Sequence, residues 1–143
     1  MLVLYADPPG SQLDHFNIAY NNLLSVLSLE KCRTVITGDF NINILNHESH
    51  SDTAEFVDNN FLHFFRPVIF RPTRFCHTTS TLIDNIFVSG IDSTVKDCSG
   101  VFVSDISDHL PVFYISSSKL PSANISENNP VSMIHRQISA QNV

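Results

Sequence analysis

The sequence contains no tryptophan, only four glycines and only three cysteines among its 143 residues. Cys32, Cys76 and Cys98 are odd in number and form no CxxC pair, which argues against a disulfide framework or a zinc site built on paired cysteines. No apolar run approaches the roughly 20 residues that span a bilayer. The opening "MLVLYA" is short and lacks a basic start, so we identify no targeting segment and expect a nuclear or cytoplasmic protein without a membrane partner.

Positive charge is also scarce, with eight Lys and Arg residues against fourteen Asp and Glu residues and a formal net charge of -6. This balance argues against a protein held to nucleic acid by a broad basic surface. The acidic balance is compatible with a nuclease, because clustered acids can be metal ligands whose charge a divalent cation offsets. Hydrophobic residues make up 43% of the chain, and eleven of them are phenylalanines, a composition typical of a globular domain.

The apolar pattern predicts an α/β domain over residues 1–117. Strands are predicted at 2–6, 32–40, 80–89, 100–105 and 111–116, and helices at 12–29 and 53–62. Segment 64–75 contains two prolines and is predicted to be irregular or an edge strand. Residues 118–143 are rich in Ser, Asn and Pro, which predicts a disordered tail or linker.

The tip of the second predicted strand reads Gly38-Asp39-Phe40-Asn41. In an extended segment, Asp39 and Asn41 would point to the same side, and Phe40 would point to the core. A carboxylate that orients water, beside an amide that donates a hydrogen bond to developing charge, suits a site that hydrolyses phosphate esters. A simple turn is an equally good interpretation, since Asp and Asn are common turn residues.

Two later segments also place polar groups beside apolar strands. Asp84 interrupts "TLIDNIF", where a buried carboxylate would need a cation or donor beside it, although the solvent face of an alternating strand is the simpler alternative. Asp108 and His109 precede "LPVFYI", where the acid could bind a metal and the imidazole could move a proton. Taken alone, that pair is more typical of a surface loop.

In this order, "GDFN", "TLIDNIF" and "SDHLPVF" resemble the endonuclease/exonuclease/phosphatase superfamily. The resemblance is closest to the endonuclease domains of non-long-terminal-repeat retrotransposon proteins, which also carry a reverse transcriptase domain. "YADPPGSQLDHF" is similar to the Tyr-x-Pro-Pro segment of that group, and "RPTR" to its Pro-Thr-Arg segment. The resemblance implies DNA as the partner and a partial four-layer α/β sandwich, like that of deoxyribonuclease I, without its N-terminal half.

The resemblance also implies a role for each matching residue. Tyr5 would contact the scissile phosphate, Asp39 would orient the attacking water, and Asn41 would stabilise the transition state. Asp84 would fix the orientation of His109, and His109 would act on the phosphate or carry a proton.

Asp108 would take part in binding Mg²⁺ or Mn²⁺. Arg71 and Arg74 could contact DNA phosphates. An equally good alternative is that they lie on a solvent-facing edge, where their stems cover apolar surface. The family's metal-binding Glu has no counterpart in this sequence, so we expect a C-terminal portion of such an endonuclease with a weak metal site and doubtful activity. A superfamily phosphatase acting on inositol or lipid phosphates and a non-catalytic remnant are the alternatives.

Overall fold

The computed structural model describes residues 2–5, 13–30, 32–90, 96–117 and 134–135. Within these residues the fold is mixed α/β, with two α-helices, a five-stranded sheet and two small antiparallel sheets. Helix α1 is Leu13–Ser28, helix α2 is Ser51–Leu62, and a short 3₁₀ helix is Ile44–Asn46. Strands β1 to β9 are, in chain order, Leu2–Tyr5, Val35–Asp39, Arg66–Pro67, Arg74–Cys76, Thr79–Thr81, Asp84–Val88, Asp97–Val101, Val112–Ser116 and Ile134–His135.

The five-stranded sheet has the order β3-β6-β2-β1-β9. Strands β1 and β2 run parallel, and helix α1 lies between them in the chain, as a parallel connection requires a crossover. Strand β6 pairs with β2 in the antiparallel sense. The end of β2 therefore lies beside the end of β1 and the beginning of β6.

An aromatic core joins the two helices to one face of this sheet. Tyr20 and Phe56 from the helices contact Phe40, which follows β2, and Phe56 also packs edge-on against Phe87 of β6. The Tyr20 hydroxyl donates to Asn60 Oδ1 at 2.9 Å, so its one polar group is satisfied inside the core. Phe40 is buried, as the strand pattern predicts, and it anchors the chain directly after Asp39.

The opposite face of the sheet packs against the β7–β8 hairpin. Ile86 and Val88 of β6 belong to a second apolar cluster, against which Val101 and Val112 of the hairpin pack. Because neighbouring strand residues point to opposite faces, β6 is buried on both sides. Its sequence begins with Asp84 and the buried Asn85, whose side chain bonds to the backbone of Ile69, and continues as the apolar run Ile86-Phe87-Val88.

An ion pair ties this hairpin to the main sheet. Arg33, which precedes β2, donates to the Asp97 carboxylate and to the Tyr114 hydroxyl. Its guanidinium also lies 5.6 Å from the centre of the Tyr114 ring. The side chains of Arg33 and Asp97 are both mostly buried, so the pair is shielded from solvent.

Several boundaries differ from the sequence-based predictions. The predicted strand 80–89 is two strands, because residues 82–83 leave β5 before β6 begins at Asp84. The predicted strand 100–105 is β7 at Asp97–Val101, and Val103 is almost fully exposed. Helix α2 begins at Ser51, two residues before the predicted start at Thr53. Segment 64–75 is irregular apart from edge strand β3 and the beginning of β4.

Part of the predicted tail pairs with the sheet. Ile134–His135 form β9 beside β1, and the rest of the segment 118–143 lies outside the described residues. All three cysteines are free and exposed, which excludes them from the core. No helix in the part of the chain that the structure describes is long and apolar enough to cross a membrane.

Candidate active site

Three of the predicted site residues lie in one row across the end of the five-stranded sheet. Tyr5 is in register with Asp39 across the parallel strands β1 and β2. Asp39 is in turn directly opposite Asp84 across the antiparallel strands β2 and β6. Directly paired residues share a face of the sheet, so the pairing places the two carboxylates side by side. For Tyr5 the structure gives only this register position.

The strand ends at Asp39 in a tight turn that orients its carboxylate. Asn41 has a left-handed backbone with φ of 51°, and its N–H donates to Asp39 Oδ1 at 3.0 Å. Strand alternation therefore does not extend to Asn41, and that part of the sequence argument is wrong. The turn and the site, which we treated as alternatives, occur together, because the turn fixes one oxygen of the carboxylate and leaves Oδ2 for other contacts.

His109 brings an imidazole to the two carboxylates. Its Nδ1 lies 3.1 Å from Asp84 Oδ2 and 3.2 Å from Asp84 Oδ1, although the two residues are 25 positions apart in the chain. The same nitrogen is 3.9 Å from Asp39 Oδ2. An ionised carboxylate can only accept a hydrogen bond, so the contact with Asp84 requires Nδ1 to carry the hydrogen. The solvent-face alternative for Asp84 is thus wrong.

Thr73 positions both partners of this contact, and the sequence analysis did not identify it as a site residue. Its buried hydroxyl oxygen accepts from the backbone N–H of Asp84 at 3.1 Å and of Ile83 at 3.3 Å. Its carbonyl accepts from Leu110 N–H at 2.7 Å, directly after His109. The available signal in the sequence is a β-branched hydroxyl residue between the two arginines of "RPTR".

The electrostatics of the site centre on Asp39. Burial and the neighbouring Asp84 carboxylate raise the pKa of Asp39, since both disfavour its ionised form. The hydrogen bond from Asn41 and the charges of His109 and Arg74 lower the pKa of Asp39, but the net direction is upward. This carboxylate consequently takes up a proton more readily than an exposed Asp does.

Asp108 and Arg74 form a second pair beside the cluster. Arg74 Nε donates to Asp108 Oδ2 at 2.9 Å, and both side chains are largely exposed. The Arg74 hydrogen bond lowers the pKa of Asp108, which keeps that carboxylate ionised. Strand β4 carries Arg74 to this position, with a backbone bridge to His109. Asp108, the metal ligand that the resemblance implied, is therefore engaged with a cation of the protein itself.

Two further arginines, Arg66 and Arg71, lie in strand β3 and in the segment that follows it. Arg71 is exposed in the segment between β3 and β4. Arg66 Nη2 is 4.0 Å from Asp97 Oδ2, on the side of the sheet that carries the β7–β8 hairpin. Of Arg71 and Arg74, the two arginines predicted to contact phosphate, Arg74 is the one that a backbone bridge links to His109.

Asp39, Asp84 and His109 together could hold a metal ion. Each offers one donor atom, and these atoms all lie within 4.8 Å of one another. The two oxygens and one nitrogen come from three separate parts of the chain. Strand pairing fixes Asp39 relative to Asp84, and the contact with Nδ1 fixes His109 relative to Asp84. All three residues are partly buried, so a bound ion would keep access to solvent on one side.

Comparison of the chain with models of known protein families, with curated protein sequences and with solved structures finds no match.

Proposed function

We propose that this chain is a metal-dependent endonuclease domain that hydrolyses phosphodiester bonds in DNA, of the kind carried by non-long-terminal-repeat retrotransposon proteins. The observation that carries the proposal is the convergence of His109 Nδ1 on Asp84 at 3.1 Å and on Asp39 at 3.9 Å. These residues stand in the three sequence segments on which the resemblance rests. The finer proposal for the fold is that it corresponds to part of a deoxyribonuclease I-like sandwich.

The donor atoms fit a small divalent cation. The carboxylates of Asp39 and Asp84, with oxygens within 4.8 Å of each other, supply negative charge and lone pairs for such an ion. Asp39 and Asp84 would hold Mg²⁺ or Mn²⁺, with water as the other ligands. When bound, the ion supplies positive charge that polarises a phosphoryl oxygen. Asp108 would contribute through Arg74 instead of as a direct ligand.

The chain's own groups divide the remaining work. Asp39 would orient the attacking water beside the ion, because its Oδ1 is held by Asn41 N–H and its Oδ2 is turned toward the cluster. Asp84 would hold the His109 ring through Nδ1, so that Nε2 is the nitrogen that acts on the phosphate. Tyr5 and Asn41 would contact the phosphate from the neighbouring strand and turn, as the resemblance implies.

Arg74 is the proposed contact to the DNA backbone. Its guanidinium lies beside the site and already binds a carboxylate, an anion whose geometry is close to that of a phosphate. With a net charge of -6 the protein has no general attraction for DNA, so a cation placed at the site has more influence than on a basic protein.

Nicking of supercoiled plasmid DNA by the purified chain in Mg²⁺ or Mn²⁺ tests the proposal. Because the sequence has no counterpart of the family's metal-binding Glu, we expect weak nicking. EDTA should abolish it, and Asp39→Asn and His109→Gln should each reduce it by about 100-fold or more. Asp58→Asn, the same chemical change on the exposed face of α2, should retain full activity. A folded chain that leaves DNA intact but releases phosphate from inositol phosphates would overturn the proposal in favour of the phosphatase alternative.

A further inference from the structure

We propose that Asp39, Asp84 and His109 bind Zn²⁺ as a three-ligand site, and that Zn²⁺ inhibits the hydrolysis by engaging His109, which Mg²⁺ leaves free. The binding part of this inference depends only on the geometry. The inhibitory part rests on the proposed function.

The spacing of the three donor atoms is close to what zinc requires. Ligands of a tetrahedral zinc ion, each about 2.0–2.1 Å from the metal, lie about 3.3 Å from one another. His109 Nδ1 is 3.1 Å from Asp84 Oδ2 and 3.9 Å from Asp39 Oδ2, values on either side of that distance. The Asp39 and Asp84 oxygens lie within 4.8 Å of each other. Changes of up to about 1.5 Å in these separations would bring the three atoms into a zinc coordination shell.

The chemistry of the donors separates the two metals. Imidazole nitrogen is a favoured ligand of Zn²⁺, whereas Mg²⁺ takes carboxylate oxygen and water. A set of one His, two Asp and an open position for water has the ligand number of catalytic zinc sites. Mg²⁺ therefore gains little from His109 and depends on Asp39 and Asp84 alone.

The surrounding hydrogen bonds prepare the ligands for this role. Asp39 Oδ1 accepts from Asn41 N–H at 3.0 Å, so Oδ2 is the oxygen nearest to His109. The backbone of Asp84 is held by the Thr73 hydroxyl. Hydrogen bonds of this kind orient the residues that bind the metal. They raise metal affinity because the side chains lose less conformational freedom when the ion binds.

Zinc binding would change the state of His109. Nδ1 carries a hydrogen in its contact with Asp84, and it must present a lone pair to bind a metal. The neutral ring then carries its hydrogen on Nε2, coordination replaces the hydrogen bond to Asp84, and the ring is fixed to the ion. His109 can no longer move toward a substrate phosphate or exchange a proton there, which is why we expect inhibition.

Calorimetric titration of the full chain with ZnCl₂ and with MgCl₂ tests the binding, in a Cys76→Ser background. That background removes an alternative zinc ligand, since Cys76 Sγ lies 3.5 Å from His77 Nδ1. We expect one Zn²⁺ per chain, bound at least tenfold more tightly than Mg²⁺. His109→Ala should weaken Zn²⁺ binding by about 100-fold and Mg²⁺ binding by less than about threefold. The control His77→Ala should change neither.

Nitrogen-15 NMR of the histidine rings provides a readout that needs no variant. Zn²⁺ should shift the Nδ1 resonance of His109, and Mg²⁺ should leave it in place. The inference would be overturned if His109→Ala weakened Zn²⁺ binding and Mg²⁺ binding to the same extent. It would also be overturned if the His109 resonance did not shift at saturating Zn²⁺. Zinc binding through His109 in a chain that cleaves no DNA would refute the proposed function alone, whereas nicking that zinc does not inhibit would refute the inhibition alone.

Discussion

Asp39 and Asp84 lie directly opposite one another on the antiparallel strands β2 and β6. Like charges at directly paired positions destabilise a sheet, and both carboxylates are mostly shielded from solvent. The hydrogen bond from Asn41 N–H, the imidazole of His109 and the charge of Arg74 offset this repulsion in part. Such an arrangement opposes folding, and it is typical of sites where a ligand or cation is expected to bind.

Removing one of these charges should stabilise the protein. We expect Asp39→Asn to raise the free energy of unfolding by about 0.5 kcal/mol at neutral pH, the size of a cross-strand side-chain interaction. The amide oxygen of the variant can still accept from Asn41 N–H. Urea denaturation measures the change, with the exposed Asp58→Asn as the matched control.

The stabilisation expected from Asp39→Asn should be present at neutral pH and absent in acid. The pKa of Asp39 is raised in the folded state, so the carboxylate opposes folding at pH values above that pKa. As the pH falls through the folded pKa, the group becomes protonated and the penalty disappears. Below the ordinary value of 3.8 the variant and the parent should be equally stable. A stabilisation that persists unchanged in acid would show that the charge of Asp39 is not its cause.

Thr73 should be sensitive to loss of its hydroxyl group. Thr73→Val keeps the shape of the side chain but leaves the backbone N–H groups of Ile83 and Asp84 without their acceptor in a buried position. We expect a cost of about 1–3 kcal/mol. Thr73→Ser retains the oxygen and should cost less than about 1 kcal/mol. Equal effects of the two substitutions in chemical denaturation would indicate that packing of the methyl group is what matters.

The sequence predicts the central elements because their local and tertiary preferences agree. The run before Asp39 is apolar and β-branched, and Phe40 is the first residue of the turn that the aromatic core holds. The separate elements 79–81 and 84–88 read as one strand, because hydrophobicity continues through Leu82 and Ile83 while the backbone changes partners. A pattern of side chains carries no information about such a change of hydrogen-bond partner.

The candidate site shows the same limit. The acids at the strand ends are visible in the sequence, but the pairing of Asp108 with Arg74 depends on a backbone bridge between distant segments. The role of Thr73 depends on contacts between the same two segments, because its carbonyl accepts from Leu110 N–H. Which acids lie beside His109 and which acid pairs with an arginine is therefore decided by the path of the loop before β8, and residue type alone does not specify it.

Phe40 should be a major contributor to stability as well as to the site. Its ring lies 5.3 Å from both Phe56 and Phe87, and it is fully enclosed. Phe40→Ala should cost about 3–5 kcal/mol and loosen the turn that orients Asp39. Thermal unfolding measures the loss. Phe70→Ala, at a residue that is 72% exposed, should change stability by less than about 0.5 kcal/mol.

The ion pair between Arg33 and Asp97 should give an acid-sensitive contribution of the opposite sign. Burial favours the neutral form of Asp97, but the hydrogen bonds from Arg33 and Tyr114 outweigh it and lower the pKa of Asp97. The stabilisation is therefore present above the ordinary value of 3.8 and is lost as the pH falls through the lowered pKa. Asp97→Asn should cost about 2 kcal/mol at neutral pH, because the guanidinium loses its anionic acceptor.

Denaturation across the acid range checks this dependence. The difference between Asp97→Asn and the parent should be constant above pH 3.8 and should shrink as the pH falls from there through the lowered pKa. Asp105→Asn, a change at an exposed acid, should match the parent throughout. A cost that stays constant at every pH would assign the effect to packing of the β7–β8 hairpin, and would contradict the charge-based explanation.

Substitutions of Arg74 and Asp108 distinguish two roles for Asp108, as a competitor of DNA or as a metal ligand. If Asp108 competes with DNA for the Arg74 guanidinium, then Asp108→Asn frees a cation and removes a negative charge, and DNA should bind more tightly. Arg74→Ala should weaken binding and reduce the slope of log affinity against log salt by about 1, the change expected for one lost phosphate contact. If Asp108 is instead a metal ligand, Asp108→Asn should leave DNA binding without metal unchanged and abolish metal-dependent nicking. Fluorescence anisotropy with a labelled duplex at several salt concentrations, in EDTA, separates these outcomes, because binding through Arg74 requires no metal.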